Sequence, residues 1–327
     1  MEHAIRLHGT GGIEVLKYEN VTVGDPGPAE VRIRHSAVGL NFADTYFRKG
    51  LYPVQVPCGL GVEAAGVIEA VGAGVTQVRE GDRVTYTGSP LGAYSTARVM
   101  PAASLIKLPD GIRCDTAAAM TMRGLTAGYL LRSILPLERG ATILFHAIAG
   151  GVGLIACQWA KALGLRVIGT VSTEEKAAVA RAHGCDEIIY YRSEDVAARV
   201  RELTGGKGVP VVFDGVGKDT WQASIDSLAR RGMLVCVGTA SGPFPPIDPM
   251  LLVVRGSLFV TRPALADYIA TPQERETLSR ELFDHVLAGR IRIEINQRYD
   301  LRDAAQAHAD LEQRRTVGSS IFVTRTE

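Results

Sequence analysis

Apolar and polar residues alternate with two different periods along this chain, and the change of period divides it. Over roughly the first 120 residues the pattern is that of short strands separated by frequent turns. In VRIRHSAV, Val31, Ile33 and Ala37 alternate with Arg32, Arg34 and Ser36, which predicts a half-buried strand. Residues 64–72 and 81–88 predict two more, each bounded by glycine. Gly59, Gly61, Gly66, Gly72 and Gly74 crowd this region, as a tightly turning β structure requires. Strands then alternate with helices. Strands are expected over 142–146, 166–171, 187–191, 211–214 and 233–238. Between them lie helices after the glycines near 150 and over 173–184, 193–203 and 220–228. Such alternation predicts parallel βαβ units and a doubly wound sheet. After a turn-rich SGPFPPIDP comes the strand-like SLFVTRP. The tail is mixed. Amphipathic helices are expected over 272–287 and 301–311, the second capped by Asp303, and a last strand over 319–324. Such a tail can rejoin the first domain.

Composition narrows the classes. At 327 residues the chain has length for about two domains. Its 46% hydrophobic content supplies two cores and excludes disorder. A formal charge of +1 offers no basic footprint for nucleic acid and no steering towards anionic membranes. No stretch approaches the roughly 20 apolar residues of a membrane span, and MEHAIRLHG lacks the apolar run of a signal peptide. Cys58, Cys114, Cys157, Cys185 and Cys236 are scattered without a CxxC pair. They read as small buried hydrophobes in a reducing cytoplasm, not as zinc or disulfide frameworks.

The chemistry begins at the turn AIAGGVG. It follows the expected strand 142–146 and opens a helix, which gives a weak glycine motif its meaning. Glycine lets the backbone approach a pyrophosphate, whose charge then sits at the helix N-terminus. The spacing, with Ala147, Gly150 and Gly153, is a variant of the three-glycine fingerprint. The second strand chooses between cofactors. A site for NAD places an acid about 20 residues on, against the ribose hydroxyls. Here the strand ends Thr170, Val171, Ser172, with Lys176 on the next helix. Removing the acid removes repulsion of a 2′-phosphate, Ser172 can donate to it and Lys176 supplies charge. NADPH is therefore the expected cofactor. Tyr191, ending the third strand, suits either stacking nearby or core packing.

These segments resemble the zinc-free NADPH:quinone oxidoreductases, the zeta-crystallin-like branch of the medium-chain dehydrogenase/reductase superfamily. The resemblance is carried by residues 39–53 (GLNFADTYFRKGLYP), 59–75 (GLGVEAAGVIEAVGAGV), GDRV, 145–164, FVTRP and the terminal RRTVGSS, in the family's order. It implies an α/β protein. A GroES-like β-rich catalytic domain (1–123 and 267–327) accompanies a doubly wound parallel-sheet Rossmann cofactor domain (124–266). It also implies a homodimer paired through the edge strand near residues 257–263.

Residue by residue, Ala147, Gly150, Gly151, Val152 and Gly153 fall on the family's pyrophosphate turn. Ser172, Lys176 and Tyr191 fall on its 2′-phosphate region, and Arg314 on a further phosphate contact from the tail. Thr126, Gly238 and Ser241 match nicotinamide-side contacts, with Phe259 and Val260 of the FVTRP segment also assigned to the cofactor. Where family members often read FGNSSG this chain reads VGTASG, which removes the asparagine side chain from that contact. Asn41, Asp44, Tyr46 and Tyr52 match residues lining the nicotinamide and substrate pocket.

Zinc-dependent relatives carry Cys and His where this chain has Asn41 and Val62, and neither replaces a thiolate or imidazole ligand. Without a Lewis acid, alcohol oxidation is hard, whereas a quinone already accepts hydride readily. The expected activity is reduction of a small-molecule quinone, with the protein aligning the reactants and excluding water. In that scheme Tyr46 and Tyr52 form the pocket wall and bond a quinone oxygen. Asn41 positions the nicotinamide or a water, and Asp44 orients its neighbours or caps a helix. Two alternatives remain at this level: reduction of activated alkenes such as enones and enals, and a mainly non-catalytic NADPH- or RNA-binding role. A neutral charge and 6% aromatics argue against the latter.

Overall fold

The structure, a computed structural model, describes residues 1–324. The last three residues of the expected tail segment lie outside the described residues. The chain forms two compact units. One comprises Met1–Leu125, Ile269–Gly289 and Ile293–Glu327, the other Thr126–Tyr268 with Arg290–Arg292.

The first unit is built on a seven-stranded sheet. Strand Glu30–Gly39 lies inside it, paired antiparallel with Glu63–Val71, Ala97–Pro101 and the tail strand Ser319–Val323. A smaller three-stranded sheet forms around Glu2–Leu7. The period-two pattern of the sequence sets the burial. Val31, Ile33 and Ala37 are buried, and so is His35 between them. One register irregularity falls between His35 and Ala37, opposite Gly66. A Cβ on Gly66 would stand 1.9 Å from the Arg34 carbonyl oxygen, so only glycine lets the two strands approach there. Ile5, Leu7, Val38, Leu40, Leu60, Tyr86 and Tyr94 form the core together with Leu301, Ala304 and Phe322 of the tail.

Two helices interrupt the region expected to be all strand: Phe42–Arg48 and the 19-residue Cys114–Arg132. The second is buried on nearly every side between Ala117 and Leu131, so its sequence carries no one-sided stripe for a period to reveal. The unit boundary falls within it. Helix Pro272–Leu287 forms as expected, opened by a Thr271–Glu274 capping box with Pro272 in its first turn. The helix expected over 301–311 divides. Leu301–Asp303 is a 3-10 turn capped by Asp300, and Ala304–Glu312 follows. Asp303 stands at the N-cap of the latter without a side-chain cap bond.

The second unit is a six-stranded, all-parallel sheet. Its strand order is Glu187–Tyr190, Arg166–Val171, Thr142–Phe145, Val209–Asp214, Leu228–Cys236, Phe259–Thr261. Numbered along the chain this reads 3-2-1-4-5-6, the doubly wound order whose direction reverses between Thr142–Phe145 and Val209–Asp214. Among the described residues no helix is long and apolar enough to cross a membrane.

Candidate active site

In the first unit the four residues assigned to the pocket gather around helix Phe42–Arg48. Asn41 is its N-cap, and the Asn41 amide N–H donates to Asp44 Oδ2 at 2.8 Å, half of a capping box. Asp44 is thus the N3 partner of the capping box inside the helix, with Asn41 as the cap itself, and it is fully buried. The Asn41 side chain donates through Nδ2 to Glu63 Oε2 at 2.7 Å, which turns its amide oxygen away from Glu63. Tyr46 lies on the same helix with its ring edge-on to Tyr52, centroids 5.2 Å apart. Phe42 and Phe47 complete an aromatic group around them.

Behind this helix lies a network of buried charge that the sequence did not reveal. Glu63 accepts from Asn41, from the Met122 backbone N–H at 2.6 Å and from Arg123 at 3.5 Å. Arg123 also donates to the backbone oxygens of Ala119, Leu40 and Ser320. Burial pushes the Glu63 carboxyl up, and Arg123, the Asn41 amide and the backbone N–H groups of Met122 and Thr121 pull the other way. Asp44 accepts a second bond from Tyr94 Oη at 2.9 Å, while its Oδ1 has no hydrogen-bond partner among the described residues. Burial raises the Asp44 pKa to about 7 against the pull of these donors. Glu63 and Arg123 each sit alone in an apolar stretch of sequence, in GLGVEAAGV and MTMRGLT. A lone charge in such a run is the signal that could have marked them, since a buried charge demands a partner.

In the second unit the turn 147–151 sits at the C-terminal end of the first strand, at the point where strand order reverses. Ala147 adopts φ of 55°, unusual for a residue with a Cβ, and its N–H donates to Thr170 Oγ1 at 3.2 Å. Gly150 is the N-cap of helix Gly151–Ala162, which has no side-chain cap bond. The opening amides at Gly151, Val152 and Gly153 therefore suit a pyrophosphate. Gly153 packs so closely that a Cβ would stand 2.3 Å from the Ile148 carbonyl oxygen.

Across the switch point, buried Asp214 ends the fourth strand. It accepts from the Val216 and Gly217 amides at 2.8 and 3.1 Å, Thr220 Oγ1 at 2.7 Å and Ser224 Oγ at 2.6 Å. One carboxylate thus fixes the loop 215–217. Neither Thr170 nor Asp214 was singled out from sequence.

The other expected cofactor residues divide. Parallel register sets Val171 beside Tyr190, and the Tyr191 N–H donates to Val171 oxygen, so Ser172 and Tyr191 share one sheet end. Thr173 caps helix Glu174–Ala182, with Lys176 in its first turn. Of the two acids that open this helix, Glu174 is engaged by Arg181 and Tyr190. Tyr191 also packs against the sheet core. Gly238 follows the fifth strand, where its N–H donates to Asp214 oxygen at 3.2 Å. The Ser241 hydroxyl is committed locally, donating to Val216 oxygen and accepting from the Asp219 N–H. Thr126 is buried in helix Cys114–Arg132. Phe259 and Val260 lie on the edge strand, Phe259 largely exposed. Arg314 belongs to the first unit, exposed beyond helix Ala304–Glu312 with φ of 60°.

Residues 27–110 match the family model of the alcohol dehydrogenase GroES-like domain, and residues 151–274 that of the zinc-binding dehydrogenases. The zinc of the latter description has no donor set here. Asn41 is an amide bonded to Glu63, Val62 is a buried aliphatic, and among the described residues no group of three His, Cys, Asp or Glu could hold a metal. The fold and the two matches define the medium-chain dehydrogenase/reductase class. A quinone oxidoreductase of Pseudomonas aeruginosa is 54% identical over 324 residues, covering 99% of this chain and 100% of that protein. A 2-haloacrylate reductase of a Burkholderia species is 47% identical, covering 99% of both chains. The crystal structure of Escherichia coli quinone oxidoreductase complexed with NADPH superposes with a TM-score of 0.96 at 47% identity, over 98% of this chain and 100% of that one. The chain belongs to the quinone oxidoreductase family.

Proposed function

We propose that this protein reduces quinones with NADPH. The observation that carries the reading is the full-length identity, 47–54%, to curated quinone oxidoreductases. The glycine turn fits the cofactor, because its helix opens without a side-chain cap at the sheet's switch point. Gly151, Val152 and Gly153 hold the pyrophosphate on their amides. Ser172 and Lys176 answer the 2′-phosphate, with Glu174 drawn off by Arg181 and Tyr190. When bound, the nicotinamide supplies a hydride. Tyr46 and Tyr52 wall the acceptor, and their hydroxyls bond its oxygens. Asn41 offers the remaining acceptor site of its amide oxygen, which also takes the Asp44 N–H in the capping box, to a bound water, because Glu63 occupies its nitrogen. No metal takes part: the acceptor is electron-poor enough to need alignment and a dry site rather than a Lewis acid.

The test is a comparison of kcat/KM on a small quinone with NADPH and with NADH. NADPH is expected to be preferred by about tenfold or more, the worth of one charge-assisted contact, and Lys176→Glu to erase the preference. Equal use of NADH overturns the cofactor assignment. The 2-haloacrylate reductase relative favours a second reading, reduction of activated alkenes. Faster turnover of 2-haloacrylate than of any quinone would establish it.

The functional unit is a homodimer. Strand Phe259–Thr261 ends its sheet, and Phe259, Met250, Val253 and Val254 nearby in sequence are more than half exposed. An open edge with apolar side chains favours strand pairing with a second copy. Sedimentation is expected to give twice the chain mass, and Phe259→Asp with Val254→Asp to halve it. A parent sedimenting at the chain mass removes the dimer. Five free cysteines fit a reducing cytoplasm.

A further inference from the structure

A line of buried hydrogen bonds runs from Asp44 to the C-terminal part of the chain. Tyr94 Oη bonds Asp44 Oδ2 at 2.9 Å and His308 Nε2 at 3.0 Å. His308 Nδ1 meets Arg48 Nη1 at 3.0 Å, and Arg48 Nη2 pairs with Glu312 at 2.8 Å. Asp44, Tyr94, Arg48 and His308 are all 1% exposed or less.

The direction of every proton in this line follows from one residue. A guanidinium has donors only, so His308 Nδ1 must accept. Burial and the neighbouring Arg48 charge pull the His308 pKa down to about 3, so its single ring proton sits on Nε2. That proton goes to Tyr94 Oη, which leaves the Tyr94 proton for Asp44. The line is not a proton wire, because arginine does not give up its proton. It is a clamp. Asp44 Oδ2 is held by two donors, Tyr94 and the Asn41 N–H, and a proton taken up by Asp44 is left to the unpartnered Oδ1.

We propose that Tyr94 and His308 are positioning residues for the reductase reaction: clamped by Arg48, they aim one hydroxyl at Asp44 and so fix its carboxyl and the Asn41 backbone it holds. This rests on the reading that Asn41 and Asp44 border the acceptor pocket. The charged and titratable groups facing Asp44 are few. Glu63 raises its pKa and Arg123 lowers it, and Tyr94, in the loop before strand Ala97–Pro101, favours the ionised form. Tyr94 itself is held protonated, its pKa raised by burial and then by Asp44. Arg48 on the same helix and His308 beyond Tyr94 complete the set.

The experiment uses the full-length protein with NADPH and a quinone, and reads kcat and KM against pH together with the thermal melt. Tyr94→Phe removes a donor from the ionised carboxyl. The lower apparent pKa of kcat is expected to rise by about one unit, so kcat falls at neutral pH and recovers in alkali, with KM for NADPH unchanged. His308→Leu is expected to reproduce the shift. His308→Gln, whose amide can accept from Arg48 and donate to Tyr94, is expected to restore the parental profile. A folded Tyr94→Phe protein with the parental profile overturns the proposal, as does equal behaviour of the two His308 variants. Asp44→Asn with parental turnover would instead overturn the pocket reading. Impaired Asp44→Asn beside parental Tyr94→Phe removes the clamp alone.

Discussion

Glu63→Ala is expected to destabilise the first unit by about 3–5 kcal/mol, the cost of breaking a buried charge pair from one side. Arg123, 6% exposed, would keep its three carbonyl acceptors but lose its only carboxylate partner in this network. The Met122 N–H and the Asn41 amide would lose their acceptor as well. Glu63→Gln is milder, because one oxygen still accepts, yet it leaves the Arg123 charge uncompensated. The readout exploits where the tryptophans lie. Trp159 and Trp221 are both in the second unit, so their fluorescence follows that unit alone. Urea unfolding followed by hydrogen exchange is expected to show the first unit opening earlier while the tryptophan transition moves less. A parental midpoint for the first unit would show that Arg123 is satisfied by backbone alone.

Gly153→Ala is expected to weaken NADPH binding by about 100-fold. Its Cβ would meet the Ile148 oxygen at 2.3 Å and the Ile148 carbonyl carbon and Cα at 2.7 Å, all backbone in the turn after the first strand. No side chain can step aside, so the helix start must move off the strand. The amides then cease to converge on the pyrophosphate. Losing one or two charge-assisted hydrogen bonds accounts for roughly that factor. Gly150→Ala is the control. At Gly150 φ is −81°, and a Cβ would meet only the Ala147 oxygen at 3.2 Å. Its effect on affinity is expected to stay within several-fold. Fluorescence titration of both variants decides the matter, and a Gly153→Ala protein binding like the parent would remove the turn from the cofactor site.

The cofactor unit was legible in sequence because each of its elements is local. A short apolar strand, a glycine turn and a helix lie in one run from Thr142 to Ala162, and the contacts from afar come from the neighbouring strands, where Thr170 accepts from the Ala147 and Ile148 N–H groups and Phe213 from the His146 N–H. Asp214 escaped notice because its role is to gather the amides of the loop that follows it, which no spacing rule encodes. In the first unit the strands near Val31, Ala64, Gly81 and Ser319 were legible, whereas Glu2–Leu7, Lys17–Val21, Ala97–Pro101, Ile295–Asp300 and helix Cys114–Arg132 were not, the helix because burial on every side erases periodicity. The pocket tyrosines and Asn41 came from resemblance. Their support, Glu63, Arg123, Tyr94 and His308, joins residues up to 264 positions apart, as in the Arg48–Glu312 bond. A lone charge in an apolar run signals that a partner exists, but no local pattern says which distant residue supplies it.

The position of strand Ser319–Val323 between Ile295–Asp300 and Glu30–Gly39 carries a consequence for synthesis. The second unit is nearly continuous in sequence and can close while the ribosome is still translating. The first cannot. Its strand Glu30–Gly39 must wait for a partner made roughly 280 residues later, about 15–55 s at ordinary elongation rates. Through that interval Val38 and Tyr94 lack the Phe322 surface they finally pack against, and the flank of Glu30–Gly39 that Ser319–Val323 will occupy stays unpaired. The nascent chain therefore carries an open β edge that a chaperone must shield or a neighbouring chain can capture.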